Sequence, residues 1–261
     1  MDRPMNELKD CRHGRMLFNV HDVYIGRSLD LYGEFSEGEC EVFRQLIRVG
    51  WTVLELGANI GTHTVALAKM VGPNGRVIAF EPQRIVYQNL CANIALNSIL
   101  NVDCHLQAVG ETLGSVIVPS LDYTKDNNFG GLGLGAYTQG VAVPVVTVDS
   151  LELNACHFIK MDIEGMEREA ILGARKTIDR FKPVLYLEND REDRSAALIT
   201  TLHEVGYAMY WHAPPLFNQK NFFANEQNIF GGIVSKNMLC IHASIDHKID
   251  APRVEVPQVV N

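Results

Sequence analysis

Two acidic side chains belong to short apolar runs in this sequence, one within its run and one at the end, and a glycine turn follows the first run. Residues 53–56 are apolar apart from Glu55, and residues 57–61 then read Gly-Ala-Asn-Ile-Gly. Such a strand, turn and helix start leaves amide groups free, and glycine has no Cβ atom to keep a ligand away. The second run ends at Glu81, where a carboxylate at a strand end can accept hydrogen bonds from both ribose hydroxyls. These residues predict a nucleoside site.

Glu55 indicates which nucleoside is bound. A dinucleotide site has the pattern Gly-x-Gly-x-x-Gly, which residues 57–61 do not follow. A carboxylate beside the turn repels a pyrophosphate and attracts an ammonium group. We therefore predict S-adenosylmethionine as the ligand, with contacts from Glu55, Gly57, Asn59, Gly61, Thr62, Glu81 and Pro82. A strand-to-helix turn of some other α/β protein is the ordinary structural interpretation of the same pattern.

The length, composition and charge of the chain limit the class of protein. Its 261 residues, 47% of them hydrophobic, suffice for one large α/β domain with additions or two small domains. A net charge of −8 opposes binding to nucleic acid, which usually recruits a basic surface. The six cysteines lack a zinc-binding spacing and are expected to be reduced. No signal peptide or long apolar run is evident, so we expect a soluble cytoplasmic protein without membrane contact.

Alternating strand and helix patterns must position the site. Residues 1–50 are predicted to form a loose arm (1–14), a small hairpin (16–20 and 23–25) and an entry helix capped at Ser36. Residues 51–243 form the main domain, and 244–261 a disordered tail. The predicted strands are 53–56, 76–80, 102–109, 141–148, 158–161, 184–187, 207–211 and 230–234. Their alternation with helices favours a parallel, doubly wound sheet.

Two long connections have open roles. Residues 119–140 contain several glycines and form either a lid over the site or a surface excursion. Residues 213–228 are rich in aromatic and amide side chains. They could stack on a sugar ring or cover a sheet edge, and we favour substrate contact.

Several blocks of the sequence resemble the FkbM family of methyltransferases. They are residues 55–64, the tripeptide 80–82, residues 145–151, and the run Lys-Met-Asp-Ile-Glu-Gly-Met-Glu at 160–167 with Leu-Gly-Ala at 172–174. The resemblance covers roughly residues 30–235 and implies S-adenosylmethionine as methyl donor. It also implies a Rossmann-like class I fold, an α/β protein whose mostly parallel seven-stranded sheet has the order 3-2-1-4-5-7-6 with helices on both faces. The implied acceptor is a hydroxyl group of a sugar or polyketide-like natural product.

Methyl transfer requires alignment of an acceptor oxygen and removal of its proton. Because the strand ends should converge, we expect Gln107 and Ala108 to flank the adenine and Asp162 to face both cofactor and acceptor. In one arrangement Asp162, Glu188 and Asn189 bind Mg²⁺, similar to catechol-type O-methyltransferases. In the other, Asp162, Glu164 or His212 is a general base without a metal. Both arrangements remain open.

Ordinary structural roles compete with these assignments. Glu164 and Glu167 are typical of a helix start, Asp190 of a helix cap, and His63 of a packed side chain. We predict an S-adenosylmethionine-dependent O-methyltransferase acting on a saccharide or a small glycosylated or polyketide metabolite. The alternatives are a binding module that holds the cofactor without catalysis and, less favoured, a nicotinamide-dependent oxidoreductase.

Overall fold

The computed structural model describes residues 4–135 and 137–257. Its strands are β1 (Asn6–Cys11), β2 (Gly14–Asn19), β3 (Thr52–Leu56), β4 (Arg76–Phe80), β5 (Val102–His105), β6 (Ala108–Val109), β7 (Gly114–Val118), β8 (Val141–Val146), β9 (Phe158–Met161), β10 (Val184–Glu188), β11 (Tyr207–His212) and β12 (Asn237–His242). The α-helices are α1 (Ile25–Tyr32), α2 (Glu37–Leu46), α3 (Thr62–Val71), α4 (Arg84–Leu96), α5 (Glu167–Leu172), α6 (Arg175–Phe181) and α7 (Glu192–Glu204), and a 3₁₀ helix spans Val148–Leu151.

A seven-stranded sheet organises the main domain, with the order β11-β12-β10-β9-β3-β4-β5. The strands from β10 to β5 are parallel, whereas β12 runs antiparallel to both of its neighbours. Numbered by their order along the chain, the seven strands lie across the sheet as 3-2-1-4-5-7-6. The predicted mostly parallel Rossmann-like fold is confirmed.

Successive residues of the central strands face opposite sides of the sheet and contribute to two cores. Leu54 and Leu56 pack with the side chains of α5, α6 and α7 on one side. Val53 packs with α2 and α3 on the other. Glu55 and Lys160 interrupt this second apolar face just before the ends of β3 and β9, which places two charged groups beside the carboxyl edge of the sheet.

Two predicted strands differ from the structure. Residues 102–109 divide into β5, in the central sheet, and β6, which pairs with β8 in a separate sheet that also contains β7. The last strand is β12 rather than 230–234. Gly231 and Gly232 weaken the strand tendency of 230–234, and Phe230 instead packs against Tyr24.

The predicted loose arm is wrong for the residues from Asn6 onward. β1 and β2 form an antiparallel hairpin, so the hairpin precedes the predicted one. The Lys9 ammonium binds the Asp30 carboxylate at 2.5 Å, which ties β1 to α1. The first strand, β1, is mostly polar and so lacks the apolar pattern by which strands are detected in sequence.

The predicted disordered tail is also wrong for residues up to 257. The N–H of Trp211 donates to the carbonyl of Pro252, and the N–H of Val254 donates to that of Met209. Val254 is buried in the core beside β11. The tail thus pairs with the free edge of β11. Residues 258–261 lie outside the described part of the chain, in which no helix is both long and apolar enough to span a membrane.

Candidate active site

The ends of β3, β4, β9 and β10 border two adjoining cavities at one edge of the central sheet. We call them the narrow cavity and the open cavity. Five residues line both: Gly57, Glu81, Gly130, Asp162 and Glu164. Parallel α/β sheets bind ligands at this edge, so the predicted strand-end residues lie where a ligand is expected.

The turn after β3 depends on its glycines. Gly57 has φ +81°, and a Cβ atom there would lie 1.8 Å from the carbonyl oxygen of Asp162. Gly61, with φ +87°, begins α3 but lines neither cavity, so its role is to shape the turn. Asn59 has φ +50°, a conformation that asparagine tolerates better than most residues. Asn59 and Thr62, which the sequence predicts as cofactor contacts, line the open cavity.

Glu81 joins the second strand to the glycine turn. Its carboxylate accepts the N–H of Asn59 at 3.0 Å and the N–H of Gln83 at 2.8 Å. Burial raises the pKa of Glu81 to about 7, although these two hydrogen bonds favour the ionised form. The carboxylate is therefore held rigidly where the two cavities meet, as a ribose-binding group should be.

The narrow cavity has a mostly apolar lining. Gln107 and Ala108, which the sequence predicts to flank the adenine, line this cavity together with Pro82. Leu132 and Leu134, from the glycine-rich segment, line the same cavity and were not predicted. The segment thus covers the site in this structure. Its only sequence signal is the alternation of leucine with glycine over residues 131–135.

Three carboxyl groups converge at the same edge of the sheet. Asp162, Glu164 and Glu188 offer oxygen atoms that all lie within 4.8 Å of one another. Arg191 forms an ion pair with Glu164, and the Lys160 ammonium lies 3.3 Å from the Asp162 carboxylate. These side chains could hold a divalent cation or share protons.

Electrostatic repulsion within this cluster is strong. Burial and the neighbouring carboxyl groups, Asp162 foremost, raise the pKa of Glu188 to about 11. Burial and Asp162 likewise raise the pKa of Glu164 to about 7, against the opposing effect of Arg191. This repulsion favours the protonated form of Glu188.

Three predicted site residues line neither cavity: Gly61, which shapes the turn, Asn189 and His212. The side-chain amide of Asn189 donates to the sulfur of Met238 at 3.4 Å, because consecutive residues at a strand end point in opposite directions. The sequence predicts Asn189 as the third metal ligand beside Asp162 and Glu188. In the structure, the third member of this cluster is Glu164. His212 lies on the edge strand β11, where its Nδ1 is 2.7 Å from the hydroxyl of Tyr186. The prediction of His212 as a general base is not supported by this placement.

The remaining wall of the open cavity comes from both ends of the chain. Its apolar members are Tyr24, Ile25, Phe35, Leu216, Ile233 and Val234. Within residues 213–228, Leu216 alone lines the described cavities, whereas Phe217 packs on Tyr32 at a ring distance of 5.3 Å. The aromatic segment therefore mainly anchors the N-terminal region. Sequence patterns do not reveal this wall, because its members are far apart along the chain.

Glu55 is a buried acid beside the open cavity. The residue is 1% exposed, and neither carboxylate oxygen has a hydrogen-bond partner among the residues that the structure describes. Burial raises its pKa to about 7, an effect that Lys160 and the nearby Thr64 hydroxyl partly oppose. A buried acid of this kind is costly unless a ligand compensates it.

The raised pKa values of Glu55 and Glu81 predict a pH-dependent stability. An unfolded glutamate has its ordinary pKa near 4.5, so between 4.5 and about 7 the folded protein binds more protons than the unfolded chain. The free energy of unfolding of the ligand-free protein should therefore fall as pH rises through this window. We expect the melting temperature to drop by several degrees, since 1 kcal/mol corresponds to about 2–4 °C. Thermal melts of the wild type and the Glu55→Gln variant test this; a wild-type curve that rises with pH would contradict it.

A family model described as the methyltransferase FkbM domain matches residues 55–209, more than half of the chain. The match includes the glycine turn, Glu81, the carboxylate cluster and most of the central sheet. No curated protein matches the sequence.

Solved structures of methyltransferases are similar to this chain. Methyltransferase FkbM from Methylobacillus flagellatus has 19% identity and a TM-score of 0.48, over 77% of this chain and 50% of that chain. This chain therefore spans half the length of that protein. Trm5b from Pyrococcus abyssi has 14% identity and a TM-score of 0.51, over 92% of this chain and 56% of that chain. At this identity, the likeness to Trm5b concerns the fold alone.

Proposed function

Because the chain belongs to the FkbM family of methyltransferases, we propose that it transfers the methyl group of S-adenosylmethionine to a hydroxyl oxygen. The acceptor is a saccharide or a glycosylated or polyketide metabolite. One observation carries the proposal: Glu81 and the glycine turn border the narrow cavity, while the buried acid Glu55 faces the adjoining open cavity. A nucleoside with a cationic tail matches this arrangement in polarity and charge.

Different parts of the cofactor occupy the two cavities. The adenine lies in the narrow cavity against Pro82, Gln107 and Ala108, covered by the leucines of the glycine-rich segment. Glu81 accepts hydrogen bonds from the ribose hydroxyls. The methionine end then extends over Gly57 into the open cavity, where the acceptor also binds.

Asp162 is the residue best placed at the reacting centre. It lines both cavities, and its side chain is 40% exposed and held by Lys160. The acceptor oxygen attacks the methyl carbon, the electron pair of the carbon–sulfur bond passes to sulfur, and Asp162 accepts the hydroxyl proton. Glu164 is a less available base, because Arg191 binds its carboxylate.

The carboxylate cluster favours a metal-assisted form of the same reaction. Asp162, Glu164 and Glu188 would hold a divalent cation such as Mg²⁺, because carboxylate oxygens suit a hard cation and three close carboxyl groups otherwise repel one another. The ion would supply a Lewis acid that lowers the pKa of the acceptor hydroxyl. Glu164 replaces Asn189 in this proposed ligand set.

Chelation separates the two forms of the reaction. We expect EDTA to lower methyl transfer by more than about tenfold and added Mg²⁺ to restore it. EDTA saturated with Mg²⁺ beforehand is the control. Full turnover of the EDTA-treated enzyme would exclude the metal-assisted form and leave Asp162 as the base.

Methyl transfer itself is tested with S-adenosylmethionine that carries a labelled methyl group. The purified protein is incubated with saccharides and with metabolite extracts of its host, and we expect label in a product that survives mild alkali. A methyl ether survives this treatment, whereas a methyl ester does not. Binding of S-adenosylhomocysteine without any labelled product would instead favour a non-catalytic binding module.

A further inference from the structure

Glu188 and Asn237 form a pair of polar side chains in the lining of the open cavity. They lie directly opposite each other in the antiparallel register of β10 and β12, so both project from the same face of the sheet. The Oε2 atom of Glu188 and the Nδ2 atom of Asn237 are buried, and neither has a hydrogen-bond partner within residues 4–135 and 137–257. Asn237 is 4% exposed. Buried polar atoms normally have partners, so this pair requires a ligand.

The chemistry of the two atoms indicates which ligand group they bind. The amide Nδ2 of Asn237 donates a hydrogen bond, and a carboxylate oxygen of Glu188 accepts one. The Tyr186 hydroxyl lies near Asn237, but it bonds with Nδ1 of His212 at 2.7 Å. A hydroxyl group of a ligand can accept from Asn237 and donate to Glu188 at the same time. An ether oxygen only accepts and an ammonium group only donates, so the pair fits a hydroxyl group best.

An apolar ribbon lies in the same cavity wall as this pair. It consists of residues 214–216 and 233–235, in which the N–H of Leu216 donates to the carbonyl of Ile233 at 3.1 Å. Leu216, Ile233 and Val234 line the open cavity. Ile233 and Val234 are 42% and 40% exposed, which leaves apolar surface uncovered. An apolar wall with a few convergent polar groups is typical of a small-molecule site, and here it suits a ring with hydroxyl groups at its edge.

The spacing between the pair and the reacting centre matches the size of one ring. Asp162 follows β9, Glu188 ends β10 and Asn237 begins β12, and these three strands are adjacent in the sheet. Two strand spacings amount to about 10 Å. A six-membered ring with hydroxyl groups on opposite sides, each in a hydrogen bond of about 2.8 Å, has this length.

We propose that Asn237 and the apolar ribbon select the acceptor, which is a six-membered ring with a second hydroxyl group opposite the one that is methylated. The reacting hydroxyl lies at Asp162, and the second is bound between Asn237 and Glu188. This assignment rests on the proposed function and concerns the part of the acceptor that does not react. Asn237 and the ribbon lie outside residues 55–209, the range that the family model matches. Membership of the family therefore does not assign them this role.

Two small alcohols test the assignment without the natural acceptor. trans-Cyclohexane-1,4-diol has hydroxyl groups on opposite sides of its ring, whereas cyclohexanol has one. With S-adenosylhomocysteine at saturation, wild-type protein should bind the diol at least about tenfold more tightly, because cyclohexanol leaves buried polar atoms without partners. Asn237→Leu should lose most of this preference. Asn154→Leu, at an exposed asparagine, is the matched control and should keep it. Ligand-observed NMR titrations give the Kd values.

The melting temperature of the ligand-free protein separates this role from a structural one. Leucine is similar in size to asparagine but has no polar side-chain atoms, so Asn237→Leu removes an unpartnered buried amide. Its melting temperature should equal or exceed that of the wild type. A clear drop would show that the protein itself satisfies this amide, which would contradict the assignment.

The outcomes for the alcohols distinguish this assignment from the proposed function. The assignment would be overturned if wild-type protein bound S-adenosylhomocysteine but showed no preference for the diol, or bound neither alcohol. An unchanged preference in Asn237→Leu would overturn it as well. If the wild type did not bind S-adenosylhomocysteine, the proposed function would itself be wrong.

Discussion

Replacing Asp162 with asparagine should lower kcat for methyl transfer by about 10³-fold, within the range measured for the loss of a general base. The asparagine side chain has nearly the same shape but cannot accept the hydroxyl proton. Asp162 lies at the junction of the two cavities, so we expect the Kd of S-adenosylhomocysteine to change much less than kcat. The measurement is steady-state transfer of a labelled methyl group.

Asp179→Asn, at an exposed position of α6, is the control for this experiment. Its kcat should equal that of the wild type. The assignment of Asp162 would be wrong if Asp162→Asn kept more than about half of the wild-type kcat, because a base at the reacting centre contributes at least about 10². A loss confined to cofactor binding would instead make Asp162 a cofactor ligand only.

Replacing Glu81 with alanine should raise the Kd of S-adenosylhomocysteine by about 100-fold, equivalent to about 2.7 kcal/mol. Two separate losses contribute to this increase in Kd. The ribose loses a charged hydrogen-bond acceptor, and the N–H groups of Asn59 and Gln83 lose the carboxylate that positions the turn. Calorimetric titration gives the Kd directly.

Glu81→Gln separates the two contributions. Glutamine keeps oxygen for one of the two backbone N–H groups but loses the negative charge, so its Kd should lie between those of the wild type and Glu81→Ala. Wild-type affinity in Glu81→Ala would show that the nucleoside does not lie at the end of β4. A loss of affinity explained only by unfolding would appear as a lower melting temperature without ligand, which is measured in parallel.

The sequence predicts well those parts of the site that lie within one strand and its following turn. Gly57 and Glu81 each end an apolar run, and parallel strands bring such ends to one edge. Local pattern therefore places Asn59, Thr62, Pro82 and the adenine wall near one another before any coordinates are known.

Features that depend on packing between distant segments are not predicted. Whether Glu188 or its neighbour Asn189 faces the cavity depends on the orientation of β10 at its end, and the sequence shows only that both are polar. Lys160 appears in a motif, but its contact with Glu55 requires the register of β9 with β3. The N-terminal hairpin and the tail beside β11 are held by tertiary contacts. The polar, irregular sequence of β1 and of the tail does not predict these contacts.

A crystal structure with S-adenosylhomocysteine tests the central claim most directly, namely that the strand ends form an acid-lined nucleoside site. We predict the ribose hydroxyls within hydrogen-bond distance of Glu81, the adenine between Ala108 and Leu132, and the sulfur atom beside Asp162. The claim would be contradicted if the ligand bound elsewhere on the protein while the edge formed by β3, β4 and β9 stayed closed by the protein's own side chains.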